Sequence, residues 1–146
     1  MQKKIVSNDI LIPELVKLVE EGSQVAFVPK GNSMVPFIRG DRDSVVLARP
    51  TEVDVLDIVL ARINSTYVIH RIIAMDGEAV TLMGDGNISG VEYCRKSDIL
   101  AKVAAIVRNG REIGCTGWKH RVKAKIWMAL LPIRRYILAI YRRLTR

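Results

Sequence analysis

The chain has 146 residues, 49% of them apolar and 26% charged. That length and apolar content suit one domain with its own core and exclude an intrinsically disordered chain. The net charge of +8 is unevenly placed: residues 119–146 hold nine of the 23 basic side chains and no acid, while the remainder carries 14 basic and 15 acidic groups. The body is therefore near neutral. The basic C-terminal element implies an anionic surface as partner, whether lipid headgroups, nucleic acid or an acidic protein.

In chain order, Met1–Lys4 is basic, but Asp9, Pro13 and Glu14 interrupt the next stretch of chain, so no secretory signal peptide is expected. Residues 10–21 predict a short helix with Leu11, Leu15, Leu18 and Val19 on one face. Lys17 and Glu21 would pair at i,i+4, Pro13 would sit near the helix start, and Gly22 would stop it. Strands are predicted at 24–29, 44–48, 57–63, 67–75, 79–83 and 99–108 from their short β-branched runs. Asp76-Gly77 and Asn109-Gly110 read as tight turns, the first of type I′. Cys94 and Cys115 lack CxxC spacing and read as ordinary thiols; with only two histidines, a structural zinc site is not expected. The sum is a mostly β domain over residues 1–116 with a helical tail over 117–146.

In that tail Ile126, Leu130, Ile133, Ile137, Ile140 and Leu144 fall on one helical stripe, with Arg135 and Arg142 roughly opposite and Pro132 kinking or breaking the helix. The stripe reads first as lying in an anionic membrane interface. Packing on the domain and binding a partner helix are the alternatives. Arg134 and Arg135 interrupt the longest apolar candidate, 126–141, short of the roughly 18 residues that span a bilayer. A peripheral membrane or cytoplasmic location is expected.

Three residues could carry chemistry. Ser33 lies in Gly31-Asn32-Ser33-Met34-Val35-Pro36, between a strand and a turn, where a side chain projects from a rim. A serine hydroxyl needs a base within hydrogen-bond reach to act as a nucleophile. His70 lies in an apolar strand; alternation puts it on one face with Val68 and Ile72, and Arg71 on the other with Ile69 and Ile73. Partial burial would keep its imidazole neutral, as a general base requires. Asp85, in Gly84-Asp85-Gly86-Asn87, comes directly after the strand expected to pair with that of His70. A carboxylate there could fix the imidazole tautomer.

This ordered set, Gly-x-Ser-Met-x-Pro then Gly40-Asp41, then His70-Arg71, then Gly-Asp-x-Asn, resembles the type I signal peptidases of the Ser–His branch over about residues 24–108. The wider superfamily includes self-cleaving proteases of the SOS-repressor type, which use Ser–Lys. The resemblance implies a fold of coiled antiparallel sheets and a cofactor-free serine endopeptidase. Its substrates would be peptides or preproteins with small residues before the scissile bond. It implies Ser33 as nucleophile, His70 as general base and Asp85 as acidic partner, with Gly31, Asn32, Met34 and Pro36 as oxyanion and substrate-binding positions. Two places depart from the pattern. Gly31 stands where bacterial members often have serine, and Gly86 interrupts the eukaryotic-type Gly-Asp-Asn-Asn, leaving Glu92 as the nearby acid after Asp85. Two rival readings are a catalytically impaired binding or maturation module on the same fold and a self-cleaving regulator. Against the regulator, the roughly 22 residues before the first strand are too few for a winged helix, and the base is His rather than Lys.

Overall fold

The computed structural model describes residues 8–145; Met1–Lys4 and Arg146 of the basic segments lie outside them. Strands hold 36% of the chain and helices 29%, so the fold is mostly β: a curled antiparallel half-barrel sheet with helices at both ends of the chain. The elements are α1 (Asn8–Glu20), β1 (Val25–Phe27), β2 (Ser44–Ala48), β3 (Ile58–Ile63), β4 (Thr66–Asp76), β5 (Ala79–Met83), β6 (Glu92–Arg95), β7 (Ile99–Arg108), β8 (Arg111–Gly114), α2 (Trp118–Ala129) and α3 (Arg134–Leu144). The sheet order is β1-β2-β7-β3-β4-β5-β6, and β8 adds to β7.

The curl arises from register. Bulges put an extra residue into β7 at Ala104, opposite Val46/Leu47, and at Leu100, opposite Leu60/Ala61, and into β4 at Ile73. An extra residue on one strand bends it and increases its twist. Both faces of β3 are buried: Ile58 and Leu60 join a core with Val45, Leu47, Val103 and α1, while Val59 and Ala61 join a second with Ile72, Val80 and Leu82. That is why its sequence is a continuous apolar run rather than an alternation. The turns have their own chemistry. Asn64-Ser65 and Asn109-Gly110 take positive φ at both residues, as a type I′ turn requires. The β4–β5 turn centres on Gly77-Glu78, one residue later than Asp76-Gly77, with positive φ at Gly77 but not at Glu78.

α1 starts earlier than predicted and carries Pro13 inside it. Its buried stripe is Ile12, Val16 and Val19, while Leu18 is exposed, so the packed face is rotated from the one expected. Lys17 contacts Glu14 at 3.9 Å rather than Glu21, and both are largely solvated. Gly22, at φ +96°, ends the helix as expected; the Ser23 N–H returns to the Leu18 carbonyl at 3.0 Å in a Schellman-type closure.

Pro132 lies in a 3₁₀ turn, 131–133, that breaks the tail into α2 and α3. These helices share a hydrophobic cluster with the β-rich body: Val35 from the Ser33 loop packs on Trp127 and Leu138. The predicted stripe is divided: Leu130 and Ile137 pack against this cluster. Ile126, Ile133, Ile140 and Leu144 are exposed, and Arg134 is buried. Among the described residues no helix is long and apolar enough to cross a membrane.

Leu138 is fully buried and Ile140 is solvated. Leu138→Ala is therefore expected to lose about 2–5 kcal/mol of stability. Ile140→Ala should stay within about 0.5 kcal/mol of the parent. Urea unfolding checks both, and equal losses at the two positions would contradict the inward face described.

Candidate active site

The Ser33 loop runs from β1 to β2 and closes on itself. The Asp41 N–H donates to the Pro29 carbonyl at 2.8 Å, and a side chain at Gly40 would collide with the Gly31 backbone. Met34, Val35 and Ile38 point into the cores, and the Val35–Pro36 peptide is cis. Asp43 anchors the far end. It accepts from the Arg39 N–H at 2.8 Å, from Arg42 Nε at 2.8 Å and from Arg108 Nη2 at 3.0 Å. Burial alone would raise the Asp43 carboxyl, but these donors outweigh it and hold it near 2. Arg108 also donates to the Phe37 carbonyl at 2.9 Å, fastening the loop to β7. Ser33 is left exposed at the rim.

His70 sits in β4 opposite Val59 and is buried. Its Nδ1 is in contact with Glu92 Oε1 of β6, two strands away. That oxygen lies off the Nδ1–H direction, so Nδ1 has no aligned hydrogen-bond partner among the described residues. The other ring nitrogen, Nε2, faces Gly84. A Cβ built on Gly84 would stand 3.1 Å from Nε2 and would also collide with the Ser33 carbonyl. The absence of a side chain at Gly84 therefore lets the Ser33 backbone and the imidazole approach one another. Ser33 and His70 line one cleft of about 140 Å³, walled by Phe27, Met34, Ile38 and Leu60.

Asp85 has a different partner from the one expected. Arg71 donates to it in a fork, Nε to Oδ1 at 2.8 Å and Nη2 to Oδ2 at 2.7 Å, and both side chains are buried. The remaining Arg71 nitrogen, Nη1, donates to the Leu56 carbonyl at 2.7 Å and lies 3.0 Å from His120 Nε2. Phe37 stacks on the guanidinium at 4.7 Å. Since Arg71 can only donate, His120 accepts through Nε2 and is neutral. Burial first, and then the Arg71 charge, pushes His120 down to about 4. The loop around Asp85 is also held from both sides. The Gly86 N–H donates to the Ser33 carbonyl at 2.8 Å, and Trp127 Nε1 of α2 donates to the Asp85 carbonyl at 2.9 Å. Arg134 of α3 donates to the Asn87 carbonyl at 3.0 Å.

The structure thus brings Ser33, His70, Gly31 and Met34 to one cleft. Asn32 faces a separate cleft against α3, and Pro36 faces one beside His120. Asp85 lies behind the loop in the arginine pair, and the carboxylate on His70 is Glu92. Sequence reasoning missed Glu92 and His120 as members of this assembly. The register pairing Glu92 with Leu82 would have been needed to find the first. Both cysteines are free, and burial raises each thiol, Cys115 to about 12. Among the described residues no cluster of His, Cys, Asp and Glu is arranged to hold a metal ion. The chain matches no protein-family model and no curated protein.

The buried network makes two outcomes measurable. Asp85→Ala strands the Arg71 charge and should cost about 3–5 kcal/mol of stability. Glu92→Gln, at a partly solvated position, should cost less than about 1 kcal/mol. Urea unfolding distinguishes them, and a stable Asp85→Ala protein would contradict the role given to the pair. The His120 shift sets an acid limb. His120 is neutral in the folded state down to about 4, while the unfolded chain takes up its proton below 6.5. The stabilisation is therefore complete above pH 6.5 and is lost as pH falls through 4, by about 3 kcal/mol in total. His120→Gln should flatten this limb when stability is measured at about pH 7.5 and about pH 4.5. An unchanged limb in that variant would assign the acid sensitivity elsewhere.

Proposed function

We propose that the chain is a serine endopeptidase of the signal-peptidase-like kind that cleaves peptide or preprotein substrates through Ser33 and His70. The observation that carries this reading is the shared cleft: an exposed serine and a buried imidazole open into one space, whose lining also includes Lys30, Tyr67 and apolar side chains. The curled antiparallel sheet supports the family's coiled-sheet architecture as the finer description of the fold.

In this reading Ser33 Oγ attacks the substrate carbonyl as its proton passes to His70 Nε2. Glu92 lies against Nδ1, and its negative charge stabilises the imidazolium that forms. The Ser33 backbone N–H makes no backbone hydrogen bond among the described residues and is available to the oxyanion. The C–N bond breaks as His70 returns the proton to the leaving amine. Water, deprotonated by the same nitrogen, then hydrolyses the ester on Ser33. A cleft of about 140 Å³ walled by Phe27, Met34, Ile38 and Leu60 suits a small apolar side chain before the scissile bond. Asp85 acts at one remove, as a positioning residue that fixes the loop bearing Gly84 and Gly86.

Mass-spectrometric cleavage profiling of a peptide library tests the assignment. Ser33→Ala and His70→Ala should each lose on the order of 10⁶ in turnover, because nucleophile and base act as a unit. Glu92→Gln should lose about 10²–10⁴, the cost of removing the charge beside the imidazolium rather than a proton carrier. Cleavage by Ser33→Ala within about tenfold of the parent would overturn the nucleophile assignment.

A further inference from the structure

We propose that the outward faces of α2 and α3 are a docking surface for an anionic phospholipid bilayer, with a headgroup phosphate seated between Arg39 and Arg142 beside the Ser33 loop. Both helices turn one set of side chains inward, including Trp127, Arg134 and Leu138, and leave large apolar side chains in water. Trp118, Ile126, Ile140 and Leu144 are 72%, 56%, 61% and 80% exposed. Trp118, Val122 and Ile126 recur at i, i+4, i+8 on α2; Tyr136, Ile140 and Leu144 do so on α3. Large apolar side chains left exposed along both helices mark an interaction surface.

Charge selects the occupant. Residues 118–145 contain no acid, and Lys119, Lys123, Lys125, Arg135, Arg142 and Arg143 are exposed, with no ion pair among the described residues. Apolar lines flanked by cations suit a sheet of anionic headgroups over hydrocarbon. Trp118, with Lys119 over its ring at 5.9 Å, and Tyr136 are amphipathic groups of the kind that settle at that boundary. The cleft between the nucleophile loop and α3 adds a polar seat. It has about 260 Å³ and is lined by Asn32, Val35, Arg39, Tyr141, Arg142 and Thr145. Arg39 Nη2 donates to the Thr145 carbonyl at 3.2 Å, an uncharged partner, and no acid pairs with this guanidinium among the described residues. Asn32 places this seat one residue from Ser33, so a docked bilayer would bring chains lying at its surface to the Ser33–His70 cleft.

The test uses full-length Ser33→Ala protein, so its outcome does not depend on the peptidase reading. Vesicles are phosphatidylcholine alone or phosphatidylcholine with about one third phosphatidylglycerol, read by flotation and by tryptophan emission. Trp127 is buried, so Trp118 reports lipid contact. Binding to the anionic vesicles alone is expected, with a blue shift and a loss of binding in high salt. Ile126→Glu with Ile140→Glu, at exposed positions, should lower partitioning at least about tenfold. Arg142→Gln should lower it about fivefold, and inorganic phosphate should compete only weakly, because the apolar faces bind hydrocarbon as well as charge. Equal flotation on both vesicle types, no flotation, or undiminished binding by the double glutamate variant would each overturn the proposal. So would a lipid-free dimer that buries Trp118, which would make a second copy the occupant.

Discussion

The arrangement depends on one buried guanidinium. Arg71 is fully enclosed, and its donors reach Asp85 on both oxygens, the Leu56 carbonyl and His120, with Phe37 stacked on its plane. A buried charge is tolerable only when its hydrogen-bonding capacity is met, and removing one partner leaves the other unpaired at a cost of several kcal/mol. Arg71 adjoins His70 in β4, Asp85 belongs to the loop after β5, Phe37 to the Ser33 loop and His120 to α2. Five segments of the chain therefore meet on one side chain. Ser33 and His70 are positioned around that junction rather than by direct bonds to one another.

Glycine completes the assembly. Gly84 and Gly86 stand against the Ser33 and Asn32 backbone, where a Cβ would collide with carbonyl oxygens. The Gly86 N–H to Ser33 carbonyl bond then fixes the Ser33 loop to the loop of Asp85. Trp127 and Arg134 bond the same stretch from the opposite side. The C-terminal helices are consequently part of the scaffold on their inner face, while their outer face is exposed. The proposed bilayer contact and the proposed chemistry are thus joined by one hydrogen-bonded segment.

The strands that were legible in the sequence are those with buried β-branched runs. β2, β5 and β7 have the predicted bounds, β3 starts one residue later, β4 extends one residue further at each end, and β1 is shorter than predicted. β6 and β8 were not legible. Glu-Tyr-Cys-Arg alternates half-buried and exposed at a sheet edge, and Arg-Glu-Ile-Gly is exposed throughout, so neither carries an apolar signal. In the tail the 4-3-4 stripe was visible, but periodicity does not say which face packs; burial of Trp127 and Arg134 decided it. At the site, Ser33 and His70 were readable as a pair because their order and surroundings form a motif. The carboxylate was not. Alternation already placed Arg71 opposite His70, and a bidentate guanidinium holds a carboxylate more strongly than an imidazole does. Glu92 reaches the ring only through the β4–β5–β6 register, which sequence spacing does not reveal.

The central claim is that Ser33 is made nucleophilic by His70 in the cleft they share. Labelling with a fluorophosphonate and then mapping the modified peptide tests it directly, since the reagent reports activation of a serine without requiring the natural substrate. The account predicts a single phosphonyl adduct on Ser33 in the parent protein, formed far more slowly in His70→Ala. An adduct on another residue, or labelling of Ser33 at the same rate without His70, would contradict it.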